Sequence, residues 1–273
     1  KSMPRRSDLS SVLVIGSGHF IGQHMYHIQP TKMIAAMGIA ESGEGHNLAL
    51  IMTGTELEAD NIVSLPVPGL ESFMVTNSFS GEDSYLMGVE EVQANFDERF
   101  NEVYGDNVDY MPNPFIAFYS FRIMMGLGFT SLGLSILGLF LLRKDKLINS
   151  DLIAKVFVWT IPFPFIASSF GWILTEMGRQ PWVVYPNFER EGDLTASEMM
   201  HLLTENGVSQ NVLSAEVLIS VVTFTLLYLA LGIVWFRLIV RYVREGINPA
   251  DKLLLEEAHS TDVTEDTKLS FAY

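Results

Sequence analysis

Glu176 and Arg179 carry charges in a place where charge is costly. They stand three residues apart in the stretch TEMGRQPW (175–182), which follows a long apolar run. A carboxylate and a guanidinium at the end of an apolar helix each need a partner. Two interpretations stay open on these residues alone: the pair binds an anionic ligand, or the two charges form a structural ion pair.

Other side chains capable of chemistry lie before this stretch. Trp172 stands four residues before Glu176, so the two share one face of a helix. Arg122, Met124 and Met125 lie in the first half of the preceding apolar run. Methionines in such a run are usually core packing. Two arginines and a carboxylate in one layer can instead bind an anion such as the propionates of a haem.

The composition indicates that charged and apolar residues occupy different segments of the chain. Of the 273 residues 48% are hydrophobic, yet the formal net charge is -15. These values fit a chain whose charged segments lie apart from its apolar segments. The chain has no cysteine, which excludes disulfides, iron–sulfur clusters and thiolate ligands within it. A net acidic chain binds nucleic acid poorly, so we expect no nucleic-acid partner.

Three apolar runs are long enough to cross a bilayer, whose hydrocarbon core needs roughly 20 helical residues. They are residues 114–142, residues 156–180 with a kink expected at Pro162 and Pro164, and residues 215–240. Buried helices of a soluble protein are the alternative, which the absence of a polar stripe disfavours. The sequence therefore predicts an all-α membrane protein: a transmembrane helix bundle with a long external loop.

Positively charged residues set the expected orientation. The loop 143–155 and the tail 241–273 begin with basic sequence, so both should be cytoplasmic. The segments 22–113 and 181–214 contain few Lys or Arg residues and should be external loops. Residues 1–21 have a basic start and an apolar run too short to cross a bilayer, so we interpret them as the end of a truncated transmembrane helix.

Three stretches resemble a known family. SFRIMMGLG (120–128) and GWILTEMGRQPWVVY (171–185) closely resemble subunit I of the cytochrome bd-type quinol oxidases. QPTKMIAAM (29–37) resembles the start of the external quinol loop of that subunit. GRQPW after a membrane helix is a highly specific signature of the family. The resemblance covers nearly the whole chain, in the same order and spacing, but only the C-terminal part of the subunit.

The resemblance implies that the helix 114–142 serves a low-spin haem b. Met124 matches the methionine that ligates this haem, opposite a histidine that this chain lacks. Met125 is a rival ligand by chemistry, although the motif favours Met124. Arg122 matches the arginine beside the same haem, where its charge would offset the propionates or stabilise the reduced form.

The TEMGRQPW stretch would serve a second haem. Glu176 matches the carboxylate that ligates the iron of a high-spin haem b. Trp172 matches a tryptophan among the haems, where an aromatic ring can assist electron transfer, so the resemblance gives Trp172 and Glu176 catalytic roles. Arg179 matches the arginine of the signature and would pair with a haem propionate.

Gln29 and Lys32 match residues of the quinol loop, where either can hydrogen-bond a quinol oxygen. The family usually has a glutamate five residues after the lysine as a proton acceptor, whereas this chain has Met37 there and its next acid is Glu41. The histidines match no haem ligand of the family, and those nearest the quinol residues are weak candidates for binding quinol. The six histidines are His19, His24, His27, His46, His201 and His259, and those nearest the quinol residues are His24 and His27.

By resemblance, the chain is part of a terminal oxidase of the cell (cytoplasmic) membrane. Quinol is oxidised at the outer face, and electrons pass through both haems b to a haem d, where dioxygen becomes water. The implied partners are the remaining N-terminal helices of subunit I, subunit II, small accessory subunits and the lipid bilayer. The alternative is a non-haem membrane protein, either a transporter or a quinone-binding anchor subunit.

Overall fold

The computed structural model describes residues 3–106, 108–143, 151–188, 194–209 and 211–245. Within these ranges most of the chain is helical, and the predicted class of all-α membrane protein is confirmed. In chain order the helices are α1 (Met3–Ile28), α2 (Pro30–Met37), α3 (Leu70–Thr76), α4 (Val89–Tyr104), α5 (Pro114–Arg143), α6 (Asp151–Thr160), α7 (Phe163–Met177) and α8 (Ser214–Glu245). The strands are β1 (Ala49–Met52), β2 (Ile62–Ser64), β3 (Trp182–Val184) and β4 (Leu202–Leu203).

A proline sets the boundary between the first two helices. Helix α1 continues to Ile28, beyond the end expected at residue 21. Pro30 disfavours helical backbone in the residue before it, and Gln29 accordingly lies at φ -133° and ψ 69°. Pro30 itself begins α2, because the first turn of a helix needs no partner for its N–H. Gly38, in the left-handed region at φ 85°, ends α2.

The apolar runs form helices that can cross a membrane by length and composition. They span Pro114–Leu141, Lys155–Met177 and Ser214–Glu245, and most of their side chains are not buried within this chain. The middle run is broken and not merely kinked: α6 ends at Thr160 and α7 begins at Phe163. Pro162 and Pro164 explain the break, because neither can donate a backbone hydrogen bond. Helix α7 ends at Met177, a turn earlier than the expected boundary at residue 180.

The segment 22–113 is more ordered than a simple loop. Strands β1 and β2 pair antiparallel, and helices α2, α3 and α4 belong to the same segment. The prolines and glycine of the stretch 65–73 predict irregular backbone, yet α3 begins within it at Leu70, directly after Gly69. The stretch 95–106 predicts a short amphipathic helix or a loop, and the structure has helix there, because α4 continues to Tyr104.

An aromatic core joins α4 to the sequence after α7. Trp182, the tryptophan of GRQPW, is fully buried in β3 and stacks on Tyr110 with ring centroids 5.5 Å apart. Phe96 and Phe100 of α4 lie 5.7 and 5.5 Å from the same indole. Each such side chain contributes about 1.5–3 kcal/mol by leaving water. The signature tryptophan thus fixes the end of α7 to the segment 22–113.

The chain divides into two compact units, Lys1–Val208 and Ser209–Tyr273. The described part of the second unit is α8, which extends beyond both ends of the predicted span 215–240. It has no buried residues, and its apolar side chains face outward all round. Arg241 and Glu245 form an i,i+4 ion pair of 2.6 Å near its end.

Gly69 gives a test of how tightly the segment 22–113 is packed. It lies at φ 70°, and a Cβ there would come within 1.9 Å of the Phe79 carbonyl oxygen. Gly69→Ala should therefore displace backbone and destabilise the segment by more than the strain of a left-handed alanine, about 1–3 kcal/mol. Gly45→Ala is the control, because Gly45 also lies at positive φ, 65°, and a Cβ there would stay 3.4 Å from the same Phe79 carbonyl oxygen. Limited proteolysis of the membrane-embedded protein should cut Gly69→Ala faster, and equal cutting of both variants would contradict this packing.

Candidate functional site

Glu176 and Arg179 lie at the end of α7 and contact each other. Arg179 Nη2 donates to Glu176 Oε2 at 3.1 Å, and the two side chains are 46% and 44% exposed respectively. An exposed pair of this kind contributes only about 0–1 kcal/mol to stability. The pair is therefore not what holds the fold together, and both side chains can exchange partners at low cost.

Lys32 lies beside this pair. It is buried on α2 and packs against the end of α7, where a Cβ on Gly178 would lie 2.9 Å from Lys32 Cγ. Burial lowers the pKa of Lys32, the nearby Arg179 lowers it further, and Glu176 opposes both. The structure thus brings together Lys32, Glu176 and Arg179, which the sequence analysis had assigned to separate sites.

Gln29 and Thr31 place the start of α2. Gln29 is half-buried at the N-cap position, one turn before Lys32. The hydroxyl of buried Thr31 lies 3.2 Å from the hydroxyl of Tyr185, which follows β3. Burial raises the pKa of Tyr185 well above its usual range. This contact holds the start of α2 against the sequence that follows GRQPW.

Met124 meets α7 at Gly171. A Cβ on Gly171 would lie 3.0 Å from Met124 Sδ, so the glycine makes room for the thioether. Trp172 is the next residue along α7 and is 67% exposed. Met124 and Met125 are both half-buried. Met124 therefore approaches α7 beside Trp172, as expected for the predicted layer.

Arg122 has contacts that the sequence did not indicate. Its guanidinium donates to the main-chain carbonyls of Ala36, of Met37 at 2.6 Å, and of Ala49 at 2.8 Å. It also lies over the Phe118 ring, 3.6 Å from the centroid. The last carbonyls of a helix have no partner within the helix, and Arg122 supplies one for the end of α2. Arg122 is thus a structural link between α5, α2 and β1.

Sequence reasoning missed Glu71, which faces Arg122. Its Oε1 lies 3.7 Å from Arg122 Nη2, and its side chain is only 2% exposed. Burial raises the pKa of Glu71 to about 8, although Arg122 and the Ala49 main chain both lower it. An acid in the apolar stretch LESFMVT is the available signal, but the sequence alone does not show that this stretch is buried.

The donor types at these positions suit a haem. Met124 offers a soft thioether and Glu176 an exposed carboxylate, both of which can ligate haem iron. Arg179 offers an exposed cation that can pair with a propionate. Arg122 fits less well, because its side chain is only 16% exposed and already donates to three carbonyls. Among the described residues, no three His, Asp or Glu side chains cluster as metal ligands.

The Arg122 contacts predict that this position requires a guanidinium. Arg122→Lys keeps the charge but cannot reach three carbonyls in one plane. Each lost charge-assisted hydrogen bond should cost about 1.5–3 kcal/mol, and the thermal midpoint of the outer segment should fall. Arg179→Lys is the control, because its exposed pair contributes little stability. A similar midpoint for both variants would show that the carbonyl contacts do not hold α2.

Comparisons with known proteins agree with these features. Residues 8–247 match the family model described as cytochrome bd terminal oxidase subunit I. The chain is 33% identical over 231 residues to cytochrome bd ubiquinol oxidase subunit 1 of Bacillus subtilis, covering 84% of this chain and 45% of that protein. It is 28% identical over 245 residues to a putative cytochrome bd menaquinol oxidase subunit I of the same organism, covering 89% of this chain and 46% of that protein.

The fold is also similar to a solved structure. The bd oxidase from Geobacillus thermodenitrificans matches with a TM-score of 0.63 and 22% identity, over 89% of this chain and 48% of that chain. This chain thus spans about half the length of the relatives it matches. Because the family model covers most of the sequence, the chain belongs to the cytochrome bd terminal oxidase subunit I family.

Proposed function

We propose that this chain is the C-terminal part of subunit I of a quinol-oxidising terminal oxidase. One observation carries the proposal: Lys32 of the quinol-loop sequence packs on Gly178, directly beside Glu176 and Arg179. Residues expected to bind quinol and residues expected to bind a haem therefore form one site at the end of α7. A transporter or a simple quinone anchor gives no reason for this arrangement.

Membership of the family supports a reaction for the whole complex. Quinol would be oxidised at the outer face of the cell membrane, and dioxygen would be reduced to water. Haems b and haem d would supply the iron that accepts and passes on the electrons. In this proposal Met124 would ligate the low-spin haem b, and Glu176 would ligate the high-spin haem b.

The other side chains bind and position. Gln29 and Lys32 bind the quinol oxygens by hydrogen bonds, and burial lowers the pKa of the Lys32 amine. Arg179 pairs with a propionate when Glu176 turns to the iron, which is possible because their mutual contact is weak. Trp172 presents an exposed ring one turn before Glu176 on α7, and it follows Gly171, which Met124 contacts.

The chain's place in the membrane completes the proposal. The segments 22–113 and 181–214 face outside, and the loop 143–155 and the tail from residue 241 face the cytoplasm. The N-terminal helices of subunit I, subunit II and accessory subunits cover the exposed apolar faces of α5, α7 and α8.

The low-spin ligand can be tested by removing the thioether. Met124→Leu keeps the side-chain volume, so the fold should survive with a cost below about 1.5 kcal/mol. The reduced spectrum of the low-spin haem b should be lost or become high-spin in the purified complex. Met125→Leu is the matched control and should leave the spectrum unchanged. Loss of the spectrum in Met125→Leu alone would show that Met125 is the ligand. A purified complex with no haem absorbance would favour the non-haem alternative.

Glu176 and Arg179 should behave differently, because removing a ligand differs from removing a counter-charge. Glu176→Ala should deplete the high-spin haem b and abolish oxygen reduction, while quinol still reduces the low-spin haem. Arg179→Ala should weaken haem retention and shift the haem potential. Haem content and thermal melts of the single and double variants measure the loss of haem and the loss of stability separately. If the two residues only pair with each other, both single variants lose similar small stability at full haem content, and the double variant loses no more.

A further inference from the structure

Glu71 is a buried acid that the proposed function does not use. It lies in the first turn of α3 and is the one acidic side chain among the described residues that is fully buried. Its Oε1 has no hydrogen-bond partner in the structure. Burying an ionised carboxylate costs several kcal/mol unless its oxygens are paired. A residue kept in such a place needs a reason beyond packing.

A structural ion pair with Arg122 explains Glu71 poorly. The separation of 3.7 Å between Arg122 Nη2 and Glu71 Oε1 is too long for a hydrogen bond. Arginine and carboxylate side chains that pair for stability usually form two parallel hydrogen bonds. Arg122 instead directs its donors to the carbonyls of Met37 and Ala49. Glu71 is therefore near the guanidinium without being satisfied by it.

The position of Glu71 relative to Met37 is informative. Arg122 Nη2 lies 2.6 Å from the Met37 carbonyl oxygen and 3.7 Å from Glu71 Oε1. The guanidinium of Arg122 thus lies between the Glu71 carboxyl and the main chain of residue 37. Residue 37 is five positions after Lys32, where an acid is expected and a methionine is found.

We propose that Glu71 is the proton-accepting carboxyl group of the quinol segment in this chain. The inference rests on the proposed quinol oxidation. Quinol loses two protons and two electrons as it becomes quinone. Glu71 carboxylate takes one hydroxyl proton to become a neutral carboxyl, the second proton leaves to the outer solvent, and both electrons go to the haem acceptors. Glu71 then releases its proton outward and is ready for the next quinol.

The charged and titratable groups around Glu71 support this cycle. Arg122 of α5 stabilises the carboxylate, and burial opposes it, so that the pKa of about 8 lies close to the working range of a general base. On the other side, Glu71 N–H donates to the His46 carbonyl at 3.1 Å. The His46 ring Nε2 is buried without a partner, and burial lowers its pKa while Glu41 opposes that effect. The contact between Glu71 and His46 is made by the main chains, and on this side of Glu71 the released proton leaves to the outer solvent.

Glu71→Gln in the purified complex tests the proposal. The carboxylate form increases as pH rises, so the wild-type quinol oxidase rate should rise with pH toward about 8, where half of the carboxyl is ionised. Glu71→Gln should lose this rise and about 100-fold in rate, because a general base typically contributes at least that factor. The haem spectra should stay unchanged. An unaltered pH profile in Glu71→Gln would overturn the proposal.

A readout independent of turnover is the infrared difference spectrum of the complex between low and high pH. The wild type should show the carbonyl band of a protonated carboxyl that disappears as pH rises, and Glu71→Gln should lack this band. Absence of such a band from the wild type would overturn the proposal, whatever the variants do. Should Glu71→Gln fail to assemble, Glu71→Leu replaces it with the same expected results, because it leaves no polar atom unpaired.

A conservative variant and a control separate a proton acceptor from a structural partner. Glu71→Asp keeps a carboxyl on the same backbone position near Arg122 and should retain a pH-dependent rate. Loss of the pH dependence in Glu71→Asp at full haem content would make Glu71 a structural partner of Arg122. Glu82→Gln, an exposed acid of the same segment, should change neither the pH profile nor the infrared band.

Lys32→Ala separates failure of this inference from failure of the proposed function. It should raise the KM for quinol at unchanged haem content. Normal quinol kinetics in Lys32→Ala would count against the quinol site itself. A raised KM in Lys32→Ala together with an unaltered pH profile in Glu71→Gln would overturn the role of Glu71 alone.

Discussion

The contact of Arg122 with main-chain carbonyls is the constraint on which the site depends. A guanidinium at the end of a membrane helix needs acceptors, and the last carbonyls of α2 need donors. The structure satisfies both needs with one residue, which holds Met37 and Ala49 to α5. Because α2 is short, fixing its end also fixes Lys32 at its start. The position of Lys32 on Gly178 therefore follows from Arg122 as much as from its own packing.

The same constraint connects the two halves of the proposed reaction. Met124 stands two residues after Arg122 on α5, so the helix that offers the thioether also carries the anchor of α2. A second connection runs through Trp182, whose burial among Phe96, Phe100 and Tyr110 ties the end of α7 to α4. The segment 22–113 is thus held against both α5 and α7, which carry Met124 and Glu176. In the proposed function this keeps the electron donor and the first acceptor at a fixed separation.

Sequence patterns predict the helices that form because of the residues within them. Helices α5, α7 and α8 follow from long apolar runs, and α4 follows from its amphipathic spacing. Contacts between distant segments could not be predicted from the sequence. Arg122 binds main-chain carbonyls, which every residue has, so no residue type indicates which carbonyls it will contact. Glu71 is buried only because α3, β1 and α5 meet around it. Lys32 likewise lies beside Glu176 because Gly178 has no side chain. The sequence shows this glycine but does not show which side chain packs against it.

Burial distinguishes two similar acid–arginine pairs in this chain. Glu176 and Arg179 are nearly half exposed, so their contact is weak and each can turn to another partner. Glu71 is 2% exposed and Arg122 is 16% exposed, so both are held in place, and the inexpensive change open to Glu71 is to gain or lose a proton. An exposed carboxylate at the end of a helix is suited to bind iron because it can move toward the metal. A buried carboxyl near a fixed cation is suited to carry a proton because it must neutralise what it cannot solvate.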